Sequence, residues 1–171
     1  MPNVFMIVLR LVHLLAAVFW AGTIFYFSLF FLPRVKGFGP EGGRIMQRLT
    51  APPFPEAMTW AGALVALSGV LLYWRNSGGF QSAWIGTPTG LALTIGGLAG
   101  LTAFLQGVVV SRPAVARLGL LGRQVQADGG TPNAEQAAEM QKLAAKLEKG
   151  IYRTAYLLLV ALAGMAVAPY L

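Results

Sequence analysis

The sequence predicts an all-α fold, an integral membrane four-helix up-down bundle with a cytoplasmic helical hairpin between helices three and four. Composition is the first observation: 56% of the 171 residues are hydrophobic and 11% are charged, against about 25% charged in soluble domains. The second is that the apolar residues fall into four long segments, and the third is that most cations lie between those segments. One membrane domain, residues 1–171, is therefore expected.

The four apolar segments lie at 4–32, 54–74, 89–111 and 151–170. Each has about the 20 residues needed to cross a hydrocarbon core about 30 Å thick. Helix is favoured because a spanning segment must satisfy its own backbone polar groups, and none of the segments alternates like a barrel strand. The first segment lacks a basic region before it and a small-residue cleavage site after it, so we expect it to remain in the mature protein.

The distribution of Lys and Arg predicts the orientation. Loops 33–53 and 112–150 carry most of the cations, whereas loop 75–88 carries only Arg75. Because cytoplasmic loops are enriched in Lys and Arg, we expect both basic loops to face the cytoplasm and both termini to face outward from a bacterial inner membrane. The net charge of +7 comes without a basic stripe interleaved with aromatic residues, so nucleic acid is not an expected partner.

Residues 112–150 are predicted to form the helical hairpin. The stretch from Ala134 is rich in strong helix formers, and Asn133 is placed to cap it. The fourth helix should therefore begin near Asn133 and run into the membrane as one rod. The third helix should continue past Pro113 to about Val125, with the turn at 127–133.

Small residues predict close helix packing in the membrane, because lipid is as apolar as leucine and backbone contact replaces the hydrophobic effect. The helices offer Gly96 and Gly100 on the third, Gly164 and Ala168 on the fourth, and Ala17 and Ala21 on the first. Such stripes predict a compact bundle but do not identify a partner. A homo-oligomer and a larger membrane complex both stay open, with the lipid bilayer as the surrounding medium.

His13 is the only histidine and the leading candidate functional residue. Arg10, His13 and Trp20 recur on one helical face, together with Met6 and Ala17. Ionisable residues within a membrane span usually face the bundle interior and mark a functional site, and a neutral imidazole ligates haem iron. In the alternative interpretation, His13 simply hydrogen-bonds a neighbour and Arg10 extends to the head groups.

Met165 is a candidate second ligand to a metal held by His13. The fourth helix runs outward, so the two residues should differ in depth by roughly 5 Å at 1.5 Å rise per residue. A bis-histidine haem within one chain is excluded, because there is no second histidine. The predicted cofactor site therefore comprises His13, Met165, Trp20 and Arg10, with His13 as the metal ligand and heme b as the cofactor.

Copper is the alternative cofactor, since thioether and imidazole groups suit copper(I) and Met1, Met6 and His13 lie on the outward part of the first helix. No catalytic residue can be assigned: there is no cysteine, and no carboxylate lies at the predicted depth of His13. A third interpretation is a structural subunit of a larger membrane complex, with the basic loops and hairpin as docking surfaces.

The first segment contains VHLLAAVFWAGTIFYFSLFFLPRV, which resembles the first helix of small bacterial four-helix membrane proteins related to copper-resistance protein D. It is also similar to the first helix of the membrane-bound protoporphyrinogen oxidase of the HemJ type. The resemblance rests on His13, Leu14, Trp20, Gly22, Phe25 and Tyr26, with TPTG at 87–90 and GMAVAPYL at 164–171 matching the first group.

The resemblance implies a four-helix inner-membrane fold with a b-type haem linked to the matching histidine, His13. In the HemJ-type enzymes a lysine in the third helix is also needed, but this chain has none there, and the corresponding positions fall around Thr94 to Gly96. The resemblance thus implies a redox, haem-handling or accessory role, with the oxidase reaction itself put in doubt. A copper-related transport protein stays the alternative.

Overall fold

The structure of the chain, a computed structural model, describes residues 3–171 apart from the side chain of Pro40. All regular structure in this range is helical. The helices are α1 (Val4–Lys36), α2 (Pro40–Leu49), α3 (Phe54–Asn76), α4 (Ser82–Ile85), α5 (Pro88–Ala127) and α6 (Ala134–Tyr170). Four of them, α1, α3, α5 and α6, are long and apolar enough to span a membrane, in agreement with the predicted all-α fold.

Two of the long helices contain a π turn, at Phe27–Phe31 in α1 and at Gly107–Ser111 in α5. In each helix a proline, Pro33 or Pro113, follows within two residues of the turn. Because proline has no backbone N–H to donate to the preceding turn, the hydrogen-bond ladder must rearrange at this point. The π turn also changes the direction in which the following side chains project.

The interface between α5 and α6 is the most extensive in the bundle, followed by that between α1 and α3. Two predicted small residues meet at the first interface. A Cβ at Gly164 would lie 2.7 Å from the Ala92 oxygen, and one at Gly96 would lie 3.0 Å from the Ala161 oxygen. The predicted close approach is thus confirmed for these two glycines.

The core joins all four long helices near the middle of the bundle. Its buried members are Trp20, Ala21, Ala61, Ala103 and Leu158. The Trp20 ring meets the Phe104 ring edge to face, with centroids 6.5 Å apart and planes at 77°. Trp20 is the largest side chain in this cluster, and the small alanines beside it allow the four helices to pack closely around it.

The hairpin is formed by the extension of α5 and the first turns of α6, which pack against each other. Asn133 caps α6 as predicted, because its Oδ1 accepts from the Gln136 backbone N–H at 2.8 Å and Gln136 Oε1 accepts from the Asn133 N–H at 3.0 Å. Across the hairpin, Arg117 Nε donates to Glu139 Oε1 at 2.8 Å. This hydrogen bond holds the pKa of the Glu139 carboxyl below its ordinary value.

Loop 33–53 is more ordered than the sequence interpretation allows. α1 continues to Lys36, and the loop contains α2. The glycines in PEGGRIMQRL weaken helix propensity, yet tertiary contact requires one of them. A Cβ at Gly42 would overlap the Val35 carbonyl oxygen at the end of α1, and the side-chain amide of Gln47 lies against Gly122 of α5.

Candidate functional site

His13 lies where α1 packs against α3. Its side chain is 8% exposed, although its chain neighbours Val12 and Leu14 are exposed. The ring therefore turns inward from a helix whose adjacent side chains face outward, as predicted for an ionisable residue within an apolar segment.

The Nδ1 atom of His13 is anchored to α3 by two contacts. It lies 3.1 Å from the Val65 carbonyl oxygen and 3.0 Å from the Ser68 hydroxyl oxygen. The Ser68 hydroxyl is itself buried and donates its proton to the Leu64 carbonyl oxygen one turn earlier. Ser68 is thus left as an acceptor toward the imidazole.

These contacts determine the tautomer of the neutral ring. A carbonyl oxygen can only accept a hydrogen bond, so the Val65 contact requires the proton to be on Nδ1. The Ser68 hydroxyl, with its proton on Leu64, accepts from the same N–H. It follows that Nε2 carries the lone pair, which is the arrangement found where a metal-ligating histidine donates its other ring N–H to a backbone carbonyl.

Gly69 provides the space that the imidazole occupies. A Cβ at this position would lie 3.0 Å from His13 Cε1 and 3.5 Å from Nδ1, closer than most side-chain carbons approach a neighbour. Val65, Ser68 and Gly69 lie within about one turn of α3 and together form a seat for one ring. We call these three residues the imidazole seat.

The Nε2 atom is the free end of the ring. It makes no hydrogen bond with residues 3–171, and every fully enclosed side-chain nitrogen or oxygen in that part of the chain has a partner. Nε2 is therefore not sealed inside the protein. Its lone pair retains some exposed surface and is not taken up by a protein donor within residues 3–171.

The other predicted site residues differ from His13 in their burial and neighbours. Arg10 is exposed and Trp20 belongs to the core of the bundle. Met165 is half-buried, and its backbone nitrogen lies 3.6 Å from the Cβ position of Gly96, so it borders α5, whereas His13 contacts α3. Its role as a second ligand stays a prediction.

The copper alternative named Met1 and Met6 beside His13. Met1 lies outside the described residues, and Met6 is half-buried near the start of α1. Within residues 3–171, no group of three or more His, Asp or Glu side chains comes together as a metal site. The copper alternative, which adds methionine thioethers to His13, stays a prediction.

Thr94 stands among the positions that the resemblance matches to the helix-three lysine of the HemJ-type enzymes. Its hydroxyl donates to the Gly90 carbonyl oxygen at 2.6 Å and lies 2.6 Å from the Tyr73 hydroxyl. Because its only proton goes to Gly90, Thr94 accepts from Tyr73. These hydrogen bonds join α3 to α5. The side chain at this position is therefore a neutral hydroxyl and not the cation found in the HemJ-type enzymes.

The imidazole seat was missed by the sequence interpretation. One signal was present: Ser68 and Gly69 are adjacent small residues in the apolar segment 54–74. Neither residue type predicts which helix it will contact, because serine and glycine occur throughout membrane helices. Only packing pairs them with His13.

Compared with known proteins, the chain matches no family model, no curated protein and no solved structure. The resemblance to copper-resistance protein D and to the HemJ-type oxidase therefore stays a prediction based on the residues quoted above.

The tautomer of His13 can be measured directly, because the chain has a single histidine. Selective ¹⁵N-histidine labelling of tag-free protein should give one ring spin system, with a protonated Nδ1 and an unprotonated Nε2 at neutral pH. Gly69→Ala should shift these signals because the new methyl group crowds the ring. Gly97→Ala, whose Cβ would meet nothing within 4 Å, should leave them unchanged. A protonated Nε2 in the unmodified protein would contradict the assignment.

Proposed function

We propose that this protein spans a bacterial inner membrane and binds a b-type haem through His13, in a redox, haem-handling or accessory-subunit role. The observation that carries the proposal is the His13 ring, whose Nδ1–H is held by Val65 and Ser68 so that Nε2 presents its lone pair. This is the state in which imidazole ligates haem iron.

Membrane insertion is supported by the apolar surface that the bundle leaves uncovered. Fewer than a quarter of the residues in the most apolar stretch of each long helix are buried. In water such a surface would drive aggregation, whereas in a bilayer it meets lipid. The uneven distribution of cations supports an orientation with α2 and the hairpin in the cytoplasm and both termini outside.

Haem is favoured over copper because it needs only one or two protein ligands. A bare copper ion needs several protein ligands to be held tightly, and within residues 3–171 no group of three or more His, Asp or Glu side chains can supply them, so copper would depend on methionine thioethers. A haem supplies four nitrogen ligands to its iron, so one side chain such as His13 would be enough to hold it. When bound, it supplies an iron that accepts and releases one electron.

The residues around the ring have distinct positioning roles in this proposal. His13 would supply the nitrogen that holds the haem, and Val65 would fix the ring tautomer through its carbonyl oxygen. Ser68 adds a second acceptor and limits rotation of the ring, while Gly69 leaves room for it. Outer partners of this kind typically change metal affinity about 10- to 100-fold when removed.

Absorption spectra of the purified, tag-free protein test the proposal. We expect a Soret band and reduced-minus-oxidised b-type bands in the unmodified protein, with haem per chain lowered more than about tenfold in His13→Ala. Ser68→Ala should weaken haem affinity about tenfold through loss of the second acceptor. Arg75→Gln is the control, because Arg75 is charged and exposed but belongs to no predicted cofactor site, and it should retain haem.

Other outcomes discriminate among the alternatives. Equal haem content in His13→Ala and the unmodified protein would overturn the assignment of the ligand. A colourless protein that takes up copper(I) would favour the copper-related transport function. A colourless protein that binds no copper and copurifies with fixed partners would favour the structural subunit, in which His13 serves only to join α1 to α3.

A further inference from the structure

A cleft with apolar walls lies where the end of α1 meets α2. It has a volume of about 440 Å³, within the range of pockets that hold small molecules. Its lining residues are Tyr26, Phe30, Phe31, Arg34, Val35, Phe38 and Ile45. Six of the seven are apolar or aromatic, and one is cationic.

The walls of the cleft are held by contacts elsewhere in the fold. On the α1 side, the π turn at Phe27–Phe31 carries Phe30 and Phe31, and the Tyr26 ring stacks on Phe31 with centroids 6.3 Å apart. On the other side, α2 is seated against the Val35 backbone through Gly42. Ile45 is thereby presented to the cleft from one turn further along α2.

Arg34 is the only charged residue in the lining. One of its nitrogens donates to the Phe30 carbonyl oxygen at 3.1 Å, and the guanidinium lies 5.9 Å from the centre of the Phe30 ring. Within residues 3–171 it has no carboxylate partner, in contrast to Lys36, which pairs with Glu148, and Arg44, which pairs with Glu41. Its remaining donors are available to an anion, and guanidinium groups match phosphate geometry.

We propose that this cleft binds an anionic phospholipid, with the lipid phosphate on Arg34 and an acyl chain along Phe30 and Tyr26. Tyr26 precedes Arg34 by eight residues, about 12 Å along a helix, so the apolar wall extends from the charged end toward the hydrocarbon. Tyr26, Phe30 and Phe38 are exposed, which leaves the cleft open to lipid. An anionic lipid is favoured because this end of the bundle carries most of the cations.

The proposal rests on the proposed membrane placement and is independent of haem. Lipid binding is measured by native mass spectrometry on protein in detergent, titrated with phosphatidylglycerol or with phosphatidylcholine of the same acyl chains. We expect Arg34→Gln to weaken the tightest phosphatidylglycerol binding about tenfold, as for loss of a hydrogen bond to a charged group. Arg112→Gln is the matched control, because Arg112, like Arg34, lies within two residues of the end of an apolar segment but does not line the cleft, and the variant should change affinity less than about twofold.

Two results would overturn the proposal. Equal losses of phosphatidylglycerol affinity in Arg34→Gln and Arg112→Gln would mean that the lipid responds to the total positive charge at this end of the bundle and has no specific site on Arg34. Equal binding of the two lipids would mean that the cleft does not select an anion. Inorganic phosphate is added as a competitor, and we expect it to displace the lipid poorly, since it cannot fill the apolar walls.

A second pair of variants tests the wall made by α2. Gly42→Ala should displace α2, because the new Cβ would overlap the Val35 carbonyl oxygen, and should weaken lipid binding. Gly43→Ala, whose Cβ would meet nothing within 4 Å, should leave binding unchanged, while circular dichroism reports whether each variant stays helical. Absorption spectra of the same samples separate the two proposals. A colourless protein that still selects phosphatidylglycerol would support lipid binding and contradict haem binding. A protein that holds haem but does not select phosphatidylglycerol would support haem binding and contradict lipid binding.

Discussion

Replacing Trp20 with alanine is expected to lower the free energy of unfolding by about 3 kcal/mol. Trp20 is 5% exposed and packs with residues of all four long helices, and a Cβ at Gly62 would lie 3.3 Å from its ring. In a membrane the transfer of a side chain out of water contributes little to stability. The residues that line the cavity left by Trp20 nevertheless lose their van der Waals contacts with the indole. We therefore expect a cost at the lower end of the range for large aromatic deletions.

The measurement is reversible unfolding in mixed micelles, with Trp60→Ala as the matched control. Trp60 lies on α3 and is 71% exposed, so its removal leaves no internal cavity and should change stability by less than about 0.5 kcal/mol. Equal effects of the two substitutions would show that the core is not centred on Trp20.

Gly164→Ala is expected to destabilise the bundle by about 2 kcal/mol, in the range for overpacking a tight contact. The new Cβ would lie 2.7 Å from the Ala92 oxygen and 3.2 Å from the Gly96 Cα. Both are backbone atoms, so no side chain can move aside and α5 must shift away from α6. The loss of packing should exceed the roughly 0.5–1 kcal/mol that alanine gains over glycine within a helix.

Gly97→Ala provides a control with the opposite sign. A Cβ at Gly97 would meet nothing within 4 Å, so the variant keeps only the gain in helix propensity and should be slightly stabilised. Both variants are compared with the unmodified protein in the same micelle system. A Gly164→Ala protein as stable as Gly97→Ala would contradict the close approach of α5 and α6.

The candidate site could be predicted only in part. His13 was identifiable because an imidazole inside an apolar segment is expensive unless it has a partner. Its partners on α3 were not, since Val65 contributes a backbone carbonyl that every residue possesses. The same limit applies to Trp20, which shares a helical face with His13 but serves as a core residue two turns further along α1.

The fold was predictable where short-range chemistry decides it. Asn133 and Gln136 cap each other three residues apart, and Gly96 and Gly164 lack the side chains that would keep two helices apart. α2 was missed because its helical state depends on docking against Val35 and Gly122, which lie before and after it in the chain. Local propensity argues against a helix containing adjacent glycines.

The sequence by itself determined the four apolar helices, the position of the cations between them, and the singular status of His13, because length, charge and hydrophobicity are properties of each segment alone. Only the tertiary structure decided that the His13 ring faces α3, that Nδ1 carries its proton, and that Arg34 is left without a carboxylate. The physical reason is that a helix surrounded by lipid is apolar on every face. Hydrophobic patterning, which distinguishes inside from outside in a soluble protein, cannot then say which neighbour a side chain meets.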